Sequence, residues 1–257
     1  MNKGLYFDTA MLAGEIELCS GSEIYRVEDT MQRILSLTGN GQAEVYATTT
    51  GIIATLQMEG EEPLTGVKRI AVRSNNLNRI YQVNEVSRKL CDGRMTIEEA
   101  AAALRAIQNA KAYPKWVIQL CLILSVMGFT TLFGGNGYDF LLAGVAAGVM
   151  VLLDLLMEGR IYIDFMKDVV KTMGIAMVTM WICRLCHQAH SGVIIISALM
   201  PLVPGIPITN AIRDTLQGDY MSGVARMLES LVVAIGIAVG AGAGLGVYHL
   251  MEGWLLL

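Results

Sequence analysis

The chain has 257 residues, 54% hydrophobic and only 16% charged, with a formal net charge of −4. Soluble domains usually carry about 25% charged residues, and a chain without a long basic run is a poor ligand for nucleic acid, which is therefore excluded as a partner. Residues 1–115 hold 13 basic and 14 acidic side chains, whereas residues 116–257 hold 15 charges in all. That asymmetry predicts two domains: a polar α+β front over residues 1–112 and a membrane domain over residues 113–257.

The first twenty residues, MNKGLYFDTAMLAGEIELCS, contain one lysine, three acids and no continuous apolar core, so no signal peptide is expected. Residues 5–19 read as a helix. A second helix starts at Ser22, a favourable N-cap, and carries the apolar stripe Ile24, Val27, Met31, Ile34 and Leu35. Gly39-Asn40-Gly41 should stop it. Its polar side, with Glu23, Arg26, Glu28 and Arg33, is a charged face whose default reading is solvated, with ion pairs at spacings of three and four. Ala43–Thr48, Ile52–Met58 and Val67–Arg73 read as strands, with a turn over Glu59–Thr65. Leu77–Cys91 is a third helix, stopped by Gly93. Thr96 and Glu99 form a capping box that opens a last helix through Ala110.

The back half predicts five transmembrane segments, at about 116–133, 140–157, 169–185, 193–212 and 230–248. The fourth contains Pro201, Pro204 and Pro207 and no charge. It cannot be one regular helix, because each interior proline removes a donor and clashes with the preceding turn. In lipid such a break is tolerated only beside protein or a water-lined cavity, and discontinuous segments are where transporters hold their cargo. Seven Lys or Arg (Lys111, Lys115, Arg160, Lys167, Lys171, Arg213, Arg226) flank one side of these segments, and Arg184 alone the other. The side richer in basic residues is the cytoplasmic one, so the N-terminus is expected in the cytoplasm and the C-terminus in the periplasm. Gly236, Gly240 and Gly244 line one face of the fifth segment and predict close helix packing.

Candidate functional residues cluster around the broken segment. Pro204, Gly205 and Pro207 would bare backbone groups, and Asn210, Arg213, Asp214, Asp219 and Arg226 follow. An arginine beside a cavity suits a carboxylate ligand, and Arg213 is the best single candidate. The bland alternative for Arg213 is a topogenic cation at a helix end. Asp154, inside the second segment, and Glu229, opening the fifth, are proton-coupling candidates or else interfacial acids. Cys183-Arg184-Leu185-Cys186-His187, with His190 beyond, matches the C-x-x-C-H haem pattern and loosely a zinc set. Its place at the end of a hydrophobic segment favours a plain interfacial helix end, so no metal or cofactor is expected. The five cysteines do not read as a disulfide framework. No nucleophile elbow, P-loop, Rossmann fingerprint or H-E-x-x-H occurs, and all three histidines (His187, His190, His249) lie outside the front domain. An enzyme is therefore not expected, although a membrane-anchored hydrolase and a regulatory or structural subunit are the rival classes.

Two blocks, Gly21–Glu28 with the Thr48–Gly51 region, and Pro201–Asp214 with Gly218, Asp219, Gly223, Arg226 and Glu229, resemble the threonine/serine exporter family over nearly the whole chain. The resemblance implies a cytoplasmic front domain and, in fused members, about ten spans. A chain with five resembles the larger subunit of the split form, the YjjP type, whose smaller membrane partner supplies the rest. It implies an inner-membrane secondary exporter of small carboxylate-bearing metabolites, with C4 dicarboxylates such as succinate ahead of threonine and serine, and a higher-order hetero-oligomer.

Overall fold

The computed structural model describes residues 2–39, 41–111, 113–160 and 163–255. Asn40 of the expected helix stop, Ala112 at the expected domain boundary, and Leu256 and Leu257 at the C-terminus lie outside the described residues. The chain divides into two compact units. One comprises Met1–Lys111 with Gly205–Leu228, the other Ala112–Pro204 with Glu229–Leu257. The stretch Gly205–Leu228, which a linear division assigns to the membrane half, therefore groups with the front.

In the first unit, α1 (Lys3–Cys19) and α2 (Ile24–Ser36) precede β1 (Gln42–Thr48), β2 (Gly51–Gln57) and β3 (Leu64–Arg69). α3 (Leu77–Cys91) and α4 (Ile97–Gln108) follow. The strands form one antiparallel sheet in the order β1-β2-β3, with Thr48 opposite Gly51 across a two-residue turn. Strand alternation puts Ile52, Ala54 and Leu56 inside, against Ala10, Ala13, Val27, Met31 and Leu35 of the helices. Each fully buried large aliphatic contributes about 1.5–3 kcal/mol. Gly14 lets α1 lie directly on Met31, whose side chain would collide with any added Cβ. The capping box of α4 is present as expected, with Glu99 N–H donating to Thr96 Oγ1 at 3.3 Å and Thr96 N–H to Glu99 Oε2 at 2.9 Å. β3 begins earlier than the alternation suggested and ends at Arg69, and α4 stops at Gln108 rather than Ala110.

α9 (Gly205–Gln217) and the first turns of α10 (Tyr220–Leu255) complete this unit. Gly218, at φ +98°, makes the left-handed turn between them. Gly223 brings α10 onto α9, since a Cβ there would meet the Thr215 hydroxyl and lie 2.9 Å from the Ala211 carbonyl.

The second unit contains α5 (Lys115–Leu132), α6 (Gly137–Met157), α7 (Asp164–Leu185), α8 (Ser191–Leu199) and the remainder of α10. Its interior is built from small and medium residues: Val126, Ala143, Ala146, Ala147, Ile175 and Ala198. Small residues allow the close backbone approach that replaces hydrophobic drive in lipid. Gly236, Gly240 and Gly244 pack α10 on α7, against Phe165, Val169 with Thr172, and Met173 with Ala176. The outward residues are apolar and bare, among them Leu124, Leu141, Leu152 and Val239.

Three helices among the described residues, α5, α6 and α10, are long and apolar enough to cross a membrane, and a fourth span results if the interrupted α8–α9 pair counts as one. α7 is outside that set because Asp164, Lys167, Asp168 and Lys171 crowd its first turns. α10 starts ten residues before the predicted fifth segment, since no proline separates Tyr220 from Ser230.

Candidate functional site

The break in the fourth segment is real. α8 ends at Leu199, a single 3-10 turn covers Met200–Leu202, and Val203 is extended (φ −65°, ψ 127°) before α9 opens at Gly205. Extended geometry at Val203 is what a following proline imposes. Pro207 falls in the first turn of α9, where a missing N–H is harmless. A Cβ on Gly205 would meet open space.

Spacings of three and four put Asn210, Arg213 and Asp214 on one face of α9, and that face meets the start of α2. The chain leaves α1 through Gly21, at φ +85°. A Cβ there would sit 2.8 Å from Asn75 Oδ1. Glu23 is the N-cap residue of α2 but makes no side-chain cap. Ser22 is not the cap either, for its hydroxyl is buried and has no hydrogen-bond partner among the described residues. The cap comes from Asp214 of α9, whose Oδ1 accepts the Ile24 N–H at 3.0 Å. Its Oδ2 lies 3.0 Å from Arg226 Nε. Both side chains are essentially excluded from solvent, at 0% and 7% exposure. Arg226 Nη2 donates to the Ser22 carbonyl at 2.7 Å, and Asn210 Nδ2 to the Gly21 carbonyl at 2.8 Å. Arg213 Nη1 reaches Glu23 Oε1 at 2.5 Å, and Arg26 approaches the other carboxylate oxygen at 3.5 Å.

Every one of these polar groups belongs to one of the two sequence blocks, so residues almost 200 positions apart meet as one ion-pair and capping cluster. Partial burial alone would raise the Glu23 carboxyl, but its own backbone N–H and the Arg213 guanidinium outweigh this and hold it below the usual range. Glu28 accepts the Ala47 N–H at 2.8 Å, and its carboxyl is raised, first by burial and further by the charge of Asp219.

The other sequence candidates lie elsewhere. Asp154 of α6 is 3.5 Å from Lys171 of α7. Glu229 is exposed, at the point where α10 passes into the second unit. His190, the last member of the cysteine–histidine run, donates its backbone N–H to Asp139 Oδ1 at 2.6 Å, and its ring Nδ1 lies 2.9 Å from Oδ2. The pair fastens the start of α8 to the capped start of α6. Among the described residues no group of three His, Cys, Asp or Glu side chains gathers as a metal set.

Sequence reading missed Glu17. It is fully buried, accepts a 3.2 Å hydrogen bond from Thr30 Oγ1, and its Oε2 has no hydrogen-bond partner among the described residues. Burial pushes its carboxyl up to about 8, against the lesser opposing effect of Thr30. The signal was present: Glu17 follows Ala10 and Ala13 at helical spacing, on the apolar face of α1.

Residues 8–248 match the family model described as "Putative threonine/serine exporter". A probable threonine/serine exporter of Mycobacterium tuberculosis is 23% identical over 235 residues, covering 91% of this chain and 44% of that protein. Probable succinate transporter subunits YjjP of Klebsiella aerogenes and Escherichia coli are 22% and 21% identical, with 91% of this chain covered and 90% and 91% of theirs. The chain thus spans less than half of the mycobacterial relative and most of the other two. No solved structure matches.

Proposed function

This chain belongs to the threonine/serine exporter family, and on that premise we propose that it is the larger subunit of a two-component inner-membrane secondary exporter of small carboxylate-bearing metabolites. C4 dicarboxylates such as succinate are the favoured cargo, with threonine and serine as the alternative. The two relatives matched over about nine tenths of their own length are named as probable succinate transporter subunits. In this reading five segments cross the bilayer, α7 among them, with the N-terminus cytoplasmic and the C-terminus periplasmic, and a smaller membrane subunit supplies the remaining spans.

The observation that carries the proposal is that α9, which opens at Gly205 directly after a helix break, carries about two turns on a half-exposed arginine already paired with a carboxylate. Arg213 is 56% exposed while Glu23 is nearly buried. A carboxylate of the cargo can take the place of Glu23 on the guanidinium, because the two compete for the same donors. Asn210 and the backbone near Pro204, Gly205 and Pro207 offer further polar contacts, and Asp214, Asp219 and Arg226 set the frame. Asp154 or Glu229 carries the coupling proton. Release of Glu23 from Arg213 would free the start of α2, which makes Glu23, Arg26 and Glu28 the means by which the front domain responds to cargo.

Co-expression of the chain with its smaller membrane subunit, followed by measurement of which intracellular metabolites fall, tests the exporter reading and identifies the cargo. Arg213→Ala should reduce export about tenfold or more; unchanged export at normal expression removes Arg213 from the role. A regulatory subunit is the second reading, favoured by the engagement of both blocks with each other. Export by the smaller subunit alone would establish it.

A further inference from the structure

A cavity of about 290 Å³ opens between α2 and α3, lined by Arg26 of α2 and by Leu77, Ile80, Tyr81, Asn84, Glu85 and Arg88 of α3. That volume is at the lower end of the range for small-molecule pockets. The α3 members recur at spacings of three and four, so they form a single stripe of that helix. α2 and α3 start side by side, with the Ser20 carbonyl accepting the Asn76 N–H at 2.9 Å. They also end together: partial burial pushes the Cys91 thiol up, and the Ser87 hydroxyl and then the Arg33 cation oppose it. The two helices therefore run in the same direction. Arg26 lies three residues beyond the cap residue of α2 and Arg88 twelve beyond that of α3, a stagger of roughly 13 Å along the axes. One guanidinium stands toward each end of the groove.

The charges around this groove do not cancel. Asp29 is held by Arg33 at 2.7 Å, Glu85 by Lys89 at 3.2 Å, and Glu23 by Arg213. Glu17, whose carboxyl burial pushes up to about 8, keeps its proton near neutral pH. Arg79, on the far side of α3, is turned to the Gln108 and Ala110 carbonyls. Arg26 approaches Glu23 Oε2 only at 3.5 Å while Arg213 holds Oε1, so Arg26 can turn to a ligand without orphaning that carboxylate. Arg88 is exposed and has no ion-pair partner among the described residues. Glu23, Asp29 and Glu85 thus answer Arg213, Arg33 and Lys89, and the charges of Arg26 and Arg88 are left over.

Beyond the exporter reading, we propose that the groove between α2 and α3 binds a small organic dianion with a carboxylate at each end. Arg26 takes one carboxylate and Arg88 the other, each able to hold it through two N–H donors. The Tyr81 hydroxyl, which has no hydrogen-bond partner among the described residues, is a further donor. Leu77 and Ile80 give the carbon chain an apolar floor. The stagger of the two guanidinia favours a ligand charged at both ends over a compact anion such as phosphate, which only one of them can grip. Arg213 does not line this cavity, so the site is separate from the cargo contact.

Calorimetric titration of the purified full chain in detergent with succinate, butyrate and inorganic phosphate tests this. Succinate should bind saturably, and butyrate and phosphate at least about tenfold more weakly, because each satisfies one arginine only. Arg88→Gln should lose a succinate site or weaken it at least about tenfold, with the melting temperature of the free chain within a few degrees of wild type, since the side chain is exposed and unpaired. Unchanged succinate binding in Arg88→Gln overturns the proposal, as does butyrate or phosphate binding as tightly as succinate. Absence of saturable succinate binding up to about 10 mM overturns it too. None of these outcomes bears on the exporter reading, which export by the co-expressed complex decides.

Discussion

Asp214 caps a helix that begins 190 residues earlier in the chain, by accepting the Ile24 N–H at 3.0 Å. The same carboxylate faces Arg226 in a pocket closed to water. Breaking a buried pair by removing one member leaves an uncompensated charge, which costs about 3–5 kcal/mol, more than an exposed cap alone. Asp214→Ala should therefore lower the melting temperature of the purified chain sharply. Asp214→Asn/Arg226→Met should melt closer to wild type than the sum of its single variants predicts. Additive losses would mean that the two side chains do not act as a pair.

Glu17 makes stability depend on pH. An ordinary glutamate titrates near 4.5, whereas the folded chain holds this proton up to about 8. Between those values the folded state binds a proton that the unfolded state has released. The contribution of Glu17 is therefore fully present below about pH 4.5 and declines as pH rises, by up to about 1.4 kcal/mol per pH unit. Glu17→Gln cannot ionise and keeps an oxygen for Thr30. It should melt with wild type near the acid end and several degrees above it near pH 8. Coincident melting curves at both ends would show that the carboxyl is hydrated.

The Glu23–Arg213 pair should matter more for export than for stability. Arg213 is more than half exposed, so the pair contributes at most about 1 kcal/mol. Glu23→Gln should leave the melting temperature within a few degrees and raise the apparent affinity for cargo, since the competing carboxylate is gone. Lower affinity in Glu23→Gln would indicate that Glu23 aids cargo binding rather than opposing it.

Much of this arrangement was legible in the sequence, because local rules decided it. The apolar stripe of α2, the alternation in β2 and the Thr96–Glu99 box each depend on neighbours within one turn or one strand. Three prolines sufficed to predict the interruption before α9. The destination of Asp214 was not legible, since nothing local tells a carboxylate which distant helix start it will cap. Ser22 illustrates the point: it has the composition of an N-cap, yet its hydroxyl is buried and the cap is supplied from α9. Lys171 read only as one of the basic residues flanking the segments, because its partner Asp154 lies on another helix. Tertiary pairing overrode the local expectation in each case.

The glycine stripe of α10 makes a claim that can be tested one residue at a time. A Cβ on Gly240 would fall on the Val169 carbonyl and the Thr172 hydroxyl, so even alanine forces backbone against backbone. Gly242, two residues on, has nothing within 4 Å of an added Cβ, and alanine there should be neutral or slightly stabilising through its helix propensity. Gly240→Ala should destabilise by about 1–3 kcal/mol, the usual range for overpacking, and Gly240→Leu should abolish accumulation in the membrane. Gly240→Ala and Gly242→Ala change the composition of the same helix by the same atoms, so a difference between them isolates contact with α7 from any general effect of glycine content. Equal behaviour of Gly240→Ala and Gly242→Ala in detergent melts would show that α10 does not lie on α7 at this position. The opposite result, with only Gly240 sensitive, fixes the rotation of α10 about its own axis and places Gly236 and Gly244 on the same buried line.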